Sequence, residues 1–192
     1  MLPSSDGLTQ SMAAQVDRGT GLTVELGAGT GAVTSALLTR GLTPDRLIVV
    51  EKDQILAAEL ARHFPALRVL EGDAARLRKL LRRSALGLAD NVVSSLPLLS
   101  MRTHTRIRVL AQIFAILHPE GKLVQFTYSP RPPVPVRLAY ALGVEGERIE
   151  RVFWNLPPAN VWVYKRTRMN LTTATRSGIK ALNNDTRAPG TY

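Results

Sequence analysis

The sequence predicts an α/β fold in which a parallel β-sheet carries helices on both faces. Apolar runs of strand length alternate with segments of helical length from residue 22 to residue 128. A glycine-rich turn follows the first apolar run, and an acidic residue stands at or near the end of each of the first three runs. This alternation is typical of a parallel sheet, whose ligands bind at the carboxyl ends of the strands.

Five strands and four helices account for this central region. Short aliphatic runs bounded by turn residues predict strands at 22–25, 46–51, 67–70, 91–96 and 122–128. The segments between them predict helices at 30–39, 53–65, 76–83 and 103–117. The second of these begins at Asp53 and ends near Pro65, and the HPEG sequence at 118–121 ends the fourth.

The chain changes character after Tyr128. Four prolines fall within SPRPPVPVRL at 129–138, which predicts a stiff loop or lid. Two further strands at 147–154 and 161–165, joined by NLPPAN, predict an antiparallel hairpin at the sheet edge and a total of seven strands. Residues 167–192 are polar and rich in Thr and Asn, so we expect one domain over 1–166 followed by a flexible basic tail.

Composition excludes several kinds of site. The chain has 192 residues, of which 45% are hydrophobic and none is cysteine, so disulfides, thiolate metal sites and cysteine nucleophiles are excluded. His63, His104 and His118 lack the spacing of metal ligands, and we predict no metal site. No apolar run approaches the roughly 18 residues of a membrane-spanning helix, and Met1 is not followed by a leader-like segment, so we expect a cytoplasmic protein.

The net charge of +10 indicates a polyanionic partner. Nucleic acid and an anionic membrane surface both fit this charge, and so does a protein that is merely basic. Charge alone does not choose among the three.

The glycine-rich turn is the most informative local motif. It reads VELGAGTGAVT from Val24 to Thr34, with glycines at 27, 29 and 31. A dinucleotide fingerprint needs its third glycine one position later, where Ala32 stands. Glu25, two residues before the first glycine, repels a pyrophosphate and attracts a cation.

Three acidic residues near successive strand ends predict a site for S-adenosylmethionine, which carries an ammonium and a sulfonium group. Glu25 would face these cations, Glu51 would accept the ribose hydroxyls, and Asp73 would accept the adenine amino group. Each signal is weak alone, because an Asp after a strand is often only a helix cap. The predicted cofactor-binding residues are Glu25, Gly27, Gly29, Gly31, Glu51, Lys52, Asp73, Ala74 and Ser94.

ELGAGTG, VVEKD and EGDA together resemble the Rossmann-like class I S-adenosylmethionine-dependent methyltransferases. Four further segments resemble the bacterial phospholipid N-methyltransferases, over roughly residues 2–166: LPSS at 2–5, SSLPLLS at 94–100, QFTYSPRPPVP at 125–135 and WNLPPANVWVY at 154–164. The resemblance implies stepwise N-methylation of phosphatidylethanolamine towards phosphatidylcholine, with S-adenosylhomocysteine as the other product. It also implies peripheral association with the inner face of the cytoplasmic membrane.

Ser95 and Tyr128 are the predicted catalytic residues, because they lie at the ends of the predicted strands that would be beside the methyl group. Arg131 and Arg137 flank the proline-rich segment and are candidates for a lipid phosphate. The related ribosomal RNA adenine dimethyltransferases carry Asn-Leu-Pro-Tyr where this chain has Ser-Leu-Pro-Leu, so Leu98 replaces the aromatic ring that stacks a flipped adenine. Nucleic acid is therefore the less favoured partner, and no obligate protein partner is evident.

Two alternatives to the lipid enzyme stay open at this point. One is an RNA adenine N-methyltransferase, and the other is a catalytically incomplete module that keeps the cofactor site.

Overall fold

A seven-stranded sheet forms the centre of the computed structural model, which describes residues 6–17, 21–82, 87–152 and 158–167. The strands are β1 (Leu22–Leu26), β2 (Leu47–Glu51), β3 (Arg68–Glu71), β4 (Ala89–Ser94), β5 (Leu117–Thr127), β6 (Val144–Val152) and β7 (Ala159–Arg166). Their order across the sheet is β3-β2-β1-β4-β5-β7-β6. Neighbouring strands from β3 to β5 pair in parallel, and β7 pairs antiparallel with both β5 and β6. The predicted mostly parallel sheet with an antiparallel edge hairpin is confirmed.

Six α-helices in the described part of the chain cover the two faces of the sheet. They are α1 (Asp6–Ala14), α2 (Ala32–Thr39), α3 (Gln54–His63), α4 (Leu77–Arg82), α5 (Thr103–Ile116) and α6 (Val136–Ala141). Helices α1, α2 and α3 pack on one face, in a core cluster that includes Leu8, Leu37 and Leu60. Helices α4, α5 and α6 pack on the other, where Leu77 and Ile113 are fully buried.

The order of the strands changes direction at β1, between the β1–β3 half of the sheet and the half that begins with β4. Strands β2 and β3 lie on one side of β1, and β4 and β5 lie on the other. The carboxyl ends of β1 and β4 meet in register at Leu26 and Ser94. A crevice outside the strand ends at such a reversal is where parallel α/β sheets bind their ligands.

Strand β5 begins earlier than the sequence predicts. The HPEG sequence ends helix α5, but the backbone becomes extended immediately, and Leu117 pairs with Ala89 before the register jumps to Asn91 and Lys122. Gly121 sits within this bulge, and a Cβ there would lie 3.0 Å from three backbone carbonyl oxygens. The predicted end of the helix was therefore correct. The early start of β5 goes with close backbone packing at the bulge, which the sequence pattern does not reveal.

Helices α1 and α6 were not predicted. Leu8 and Met12, one turn apart on α1, are both fully buried, so the helix is stabilised by packing against α2 and strands β6 and β7. The proline-rich segment ends where α6 begins, and Pro135, with φ −57° and ψ 141°, is the N-cap residue of this helix.

Some expectations concern residues outside the described ranges. They include the LPSS segment at 2–5, residues 83 and 154 at the ends of predicted elements, and the basic tail from 168 onward. The tail and the domain boundary at residue 166 remain predictions.

Candidate functional site

The glycine-rich turn leaves open space at one glycine and packs tightly at the other two. Gly27, Gly29 and Gly31 have φ angles of +70°, +57° and +84°, a region that disfavours other residues. A Cβ at Gly27 would lie 2.8 Å from Leu96, and a Cβ at Gly31 would lie 2.9 Å from Leu60. A Cβ at Gly29 would meet nothing within 4 Å, so the turn is open to a ligand there.

Glu25 is a fully buried carboxyl on β1. Its Oε2 accepts a hydrogen bond of 2.7 Å from the Thr34 hydroxyl on α2, and its Oε1 is buried without a hydrogen-bond partner among the described residues. Burial raises the pKa of this carboxyl from 4.5 to about 7, although the Thr34 bonds oppose the rise. The site therefore holds a carboxyl poised to ionise when a cation reaches its free oxygen.

Glu51 ties the end of β2 to the glycine-rich turn. Its Oε2 accepts the Gly29 N–H at 2.9 Å, and its Oε1 accepts the N–H groups of Lys52 and Asp53 at 2.7 and 2.9 Å. A carboxylate offers about four acceptor positions, so roughly one remains for a ligand hydroxyl. Accepting both ribose hydroxyls would require the Gly29 N–H to move away.

Asp73 caps the short 3₁₀ turn that follows β3. Its Oδ1 accepts the Ala75 N–H at 2.8 Å, and its Oδ2 accepts a bond of 2.9 Å from Lys52 Nζ. The Lys52 ammonium and the Ala75 N–H together lower the pKa of Asp73. Ala74, which follows, is nearly buried, so its contribution to a ligand would come mainly from its backbone.

Ser94 and Ser95 form the end of β4 and the start of the next loop. Ser94 is fully buried, and the Ser95 N–H bonds to the Leu26 carbonyl at 2.9 Å, which joins this loop to the end of β1. The neighbouring β5 residue Gln125 donates its amide N–H to the Leu96 carbonyl at 3.0 Å. Its Oε1 is buried without a partner in the described part of the chain.

Tyr128 follows β5 and is 41% exposed, and its ring packs edge-on against Phe126. The loop that it begins is held by Asn160 of β7, whose amide donates to the Ser129 carbonyl at 3.0 Å. The Oδ1 of Asn160, like that of Gln125, is buried and unpaired among the residues described.

The structure joins four of the predicted residues in one hydrogen-bond network. Hydrogen bonds link Gly29, Glu51, Lys52 and Asp73, and the Gly72 N–H joins β3 to the Glu51 carbonyl at 2.8 Å. Ser94 and Ser95 adjoin it through β1, whereas none of the hydrogen bonds between described residues links Tyr128 to this network.

Sequence reasoning missed Gln125 and Asn160. Each is a buried amide within a strand that is otherwise mainly apolar and aromatic at its inner positions. That pattern was available in the sequence, but it does not reveal that both amides hold loops at the same end of the sheet.

A curated protein from Singulisphaera acidiphila, an ornithine lipid N-methyltransferase, is 31% identical to this chain over 134 residues. The match covers 68% of this chain and 70% of the relative. The chain belongs to the family of this lipid N-methyltransferase. No protein-family model matches the chain.

Solved structures place this family member in the class I S-adenosylmethionine-dependent methyltransferase fold. A TehB-like methyltransferase from Corynebacterium glutamicum matches with a TM-score of 0.61 and 20% identity, over 84% of this chain and 88% of that one. The glycopeptide N-methyltransferase MtfA, solved with S-adenosylmethionine, matches with a TM-score of 0.63 and 13% identity, over 84% and 93%. These likenesses confirm the predicted fold class.

S-adenosylmethionine is the cofactor of this methyltransferase, and the site fits it. The unpaired Oε1 of Glu25 is an acceptor suited to the cofactor's ammonium group, and the open space at Gly29 admits a ligand next to the backbone. Within the described residues, no helix has the length and apolarity needed to cross a membrane, and no group of three or more acidic or histidine side chains could hold a metal ion.

Proposed function

We propose that this protein transfers methyl groups from S-adenosylmethionine to the primary amine of a membrane aminolipid. The observation that carries the proposal is the 31% identity to an ornithine lipid N-methyltransferase over 68% of the chain. Ornithine lipid is therefore the first head group to test. Phosphatidylethanolamine is the second, because the segments at 94–100 and 125–135 resemble enzymes that act on it. Both lipids present a primary amine beside an anionic group.

The chain's own residues would bind the cofactor at the ends of β1, β2 and β3. Glu25 would accept a charge-assisted hydrogen bond from the cofactor's ammonium group, and Glu51 would accept a ribose hydroxyl through its remaining acceptor position. Asp73 would turn towards the adenine amino group while its Oδ1 keeps the 3₁₀ turn capped. When bound, the cofactor supplies the electrophilic methyl group.

The amine would be oriented by neutral acceptors at the ends of β4 and β5. The Leu96 carbonyl and the Ser95 hydroxyl lie on the loop after β4, and the Gln125 amide fixes that loop. The exposed ring of Tyr128 would face the growing methylammonium cation. Methyl transfer needs an unprotonated nitrogen held in line with carbon and sulfur, so positioning supplies much of the rate.

RNA methylation is not favoured. Leu98, which replaces the stacking aromatic residue of the adenine dimethyltransferases, is only 2% exposed and packs in the core beneath the strand ends. It therefore offers no surface on which a flipped base could stack. The net charge of +10 would instead serve association with an anionic membrane surface, on the cytoplasmic side where the resemblance places the enzyme.

The test uses methyl-labelled S-adenosylmethionine with three separate acceptors. These are anionic vesicles that contain ornithine lipid, otherwise identical vesicles that contain phosphatidylethanolamine, and total RNA. We expect label on the lipid amine and none on RNA. The control is Gly29→Val, which places a side chain in the open space of the turn and should remove turnover; its positive φ lowers stability, so circular dichroism checks that the variant has folded.

The vesicle in which the lipid becomes labelled identifies the head group that the enzyme methylates. Label on ornithine lipid alone or on phosphatidylethanolamine alone would assign the substrate. Label on RNA would overturn the proposal. Cofactor binding without transfer to any of the three acceptors would also overturn it, in favour of a module that only binds the cofactor.

A further inference from the structure

An apolar groove lies beside helix α6, away from the cofactor residues. We define the α6 groove by six residues of its lining: Pro132, Val134, Val136, Tyr140, Trp162 and Tyr164. The cavity measures about 710 Å³, within the range of sites that hold small organic ligands. Glu145 and Thr167 add polar groups to its lining.

The outer wall of the α6 groove exposes apolar surface to solvent. Val136 is 76% exposed and Tyr140 is 88% exposed, and they stand one turn apart on α6. The floor consists of two aromatic side chains, because Trp162 and Tyr164 stack with their ring centroids 6.2 Å apart. The Tyr164 hydroxyl also accepts the Val134 N–H, which fixes the proline-rich segment over the groove.

One end of the α6 groove lies one strand away from the predicted methyl-transfer site. Its floor residue Trp162 is the cross-strand partner of Gln125, whose amide holds the Leu96 carbonyl on the loop after β4. Adjacent strands lie about 4.8 Å apart, so the floor begins one strand away from the site. The wall residue Pro132 follows Tyr128 by only a few residues, which limits their separation to about 14 Å.

Two exposed arginines are neighbours, along the chain, of residues that line the α6 groove. Arg131 precedes Pro132 and Arg137 follows Val136, and both arginines are exposed. The three ion pairs recorded among the described residues involve neither of them. An apolar groove with arginines next to its lining residues matches an amphiphile that has an acyl chain and an anionic head group.

We propose that the α6 groove binds one acyl chain of the aminolipid substrate, which rests on the function proposed above. The chain would lie on Trp162 and Tyr164, and Arg131 or Arg137 would meet the anionic group of the head. The amine could then reach the loop after β4. The groove would thus select lipids over water-soluble amines.

The first test compares substrates with short and long acyl chains, both for the wild type and for a variant in which a larger side chain occupies part of the groove. The substrates share one aminolipid head group, carry acyl chains of about 6 or about 16 carbons, and are presented in the same neutral detergent. Ala139→Phe fills the groove, and Ala141→Phe makes the same change at an exposed position of α6 outside the lining. For a lipid monomer that leaves water, each methylene buried should raise affinity roughly fourfold until the groove is full, and a chain taken up by detergent gains less.

We expect the wild type and Ala141→Phe to prefer the long chain by at least tenfold in kcat/KM. Ala139→Phe should lose that preference and keep its turnover of the short-chain lipid. Cofactor affinity and melting temperature show whether it has folded. If it has not, Val136→Ser at a mostly exposed position replaces it, with a smaller loss expected.

The second test measures binding without turnover. Trp154→Phe leaves Trp162 as the remaining tryptophan of a chain that has two. Lipid with a brominated acyl chain, below its micellar concentration, should quench Trp162 fluorescence, and Ala139→Phe should abolish the quenching. Failure of the wild type to methylate any aminolipid, with quenching intact, would refute the proposed function and leave the groove as a lipid site.

Three outcomes would overturn the proposal. One is an unchanged long-chain preference in folded Ala139→Phe. Another is quenching by vesicles and none by monomeric lipid, which would make α6 a membrane-contacting surface. The third is a dimer in sedimentation that Ala139→Phe dissociates, which would assign the groove to a second copy of the chain.

Discussion

Replacement of Glu25 by Gln should stabilise the cofactor-free protein at neutral pH and weaken cofactor binding. The carboxyl is fully buried, and burial raises its pKa from 4.5 to about 7. The folded state therefore holds this proton more tightly than the unfolded state does. As a result, the stability of the wild type falls as pH rises from about 4.5 to about 7 and is level above that range.

The magnitude follows from the size of the pKa rise. At about 1.4 kcal/mol for each pKa unit, the ionised Glu25 costs the cofactor-free protein about 3 kcal/mol above pH 7. Glu25→Gln removes this cost but adds an amide N–H that needs a partner, so the stability difference at a single pH mixes two effects. The pH dependence of this stability difference isolates the effect of ionisation. Between pH 5 and pH 8, we expect the free energy of unfolding of Glu25→Gln to rise by about 2 to 3 kcal/mol relative to that of the wild type.

Cofactor binding should respond in the opposite direction. The loss of a charge-assisted hydrogen bond to the ammonium group costs about 1.5 to 3 kcal/mol, so affinity at pH 7.5 should fall roughly 10- to 150-fold. The affinity of the wild type should rise between pH 5.5 and pH 7 as Glu25 ionises, whereas that of Glu25→Gln should change little. General damage to the fold would lower stability and affinity together and would not produce this opposition.

Urea unfolding followed by circular dichroism, without cofactor at several pH values, measures the stability. Titration calorimetry measures the affinity. Glu147→Gln changes an exposed carboxylate on β6 and should alter neither quantity appreciably. A stability difference between wild type and Glu25→Gln that does not vary with pH would refute the reasoning, because Glu25 would then ionise in the folded state as easily as in the unfolded chain.

Three further variants probe the rest of the site. Glu51→Ala should weaken S-adenosylmethionine binding at least tenfold, because a ribose contact and the anchor of the Gly29 N–H are lost together; unchanged calorimetric affinity would contradict the assignment. Gly29→Val should abolish binding with only the loss of stability that its positive φ imposes, whereas Gly31→Val should lower the melting temperature further, because its side chain would also collide with Leu60 and Phe64; equal melting temperatures would count against the geometry of the turn. Gln125→Met should lower kcat at least tenfold with cofactor affinity unchanged, because it frees the Leu96 carbonyl; an unaltered kcat in a labelled-methyl assay would remove Gln125 from the site.

The sequence by itself determined the sheet, and it predicts the place of the cofactor site. Apolar runs predict buried strands, and the carboxyl ends of parallel strands must meet at one edge, so acids near three successive ends must lie close together. The glycine spacing likewise required a tight turn, and all three glycines have positive φ. These inferences depend on local pattern and on one topological rule.

Only the tertiary structure decided which groups in the site are already paired. Glu51 reads as a free carboxylate in the sequence, but three backbone N–H groups occupy most of its acceptor positions. Glu25 keeps one oxygen unpaired because Thr34, the only partner recorded for its side chain among the described residues, reaches only the other. Such pairing depends on distances between elements, which local propensity does not encode.

Helices α1 and α6 show the same difference between what local sequence specifies and what packing specifies. Neither α1 nor α6 has a strong local signal, and each is stabilised by the surface on which it lies. Because α6 packs on the β6–β7 edge, Trp162 and Tyr164 become the floor of a groove, although in the sequence they read as ordinary strand residues. The alternation of the chain thus specified the sheet, and non-local packing between its elements produced the open acceptors and the groove to which we assign the acyl chain.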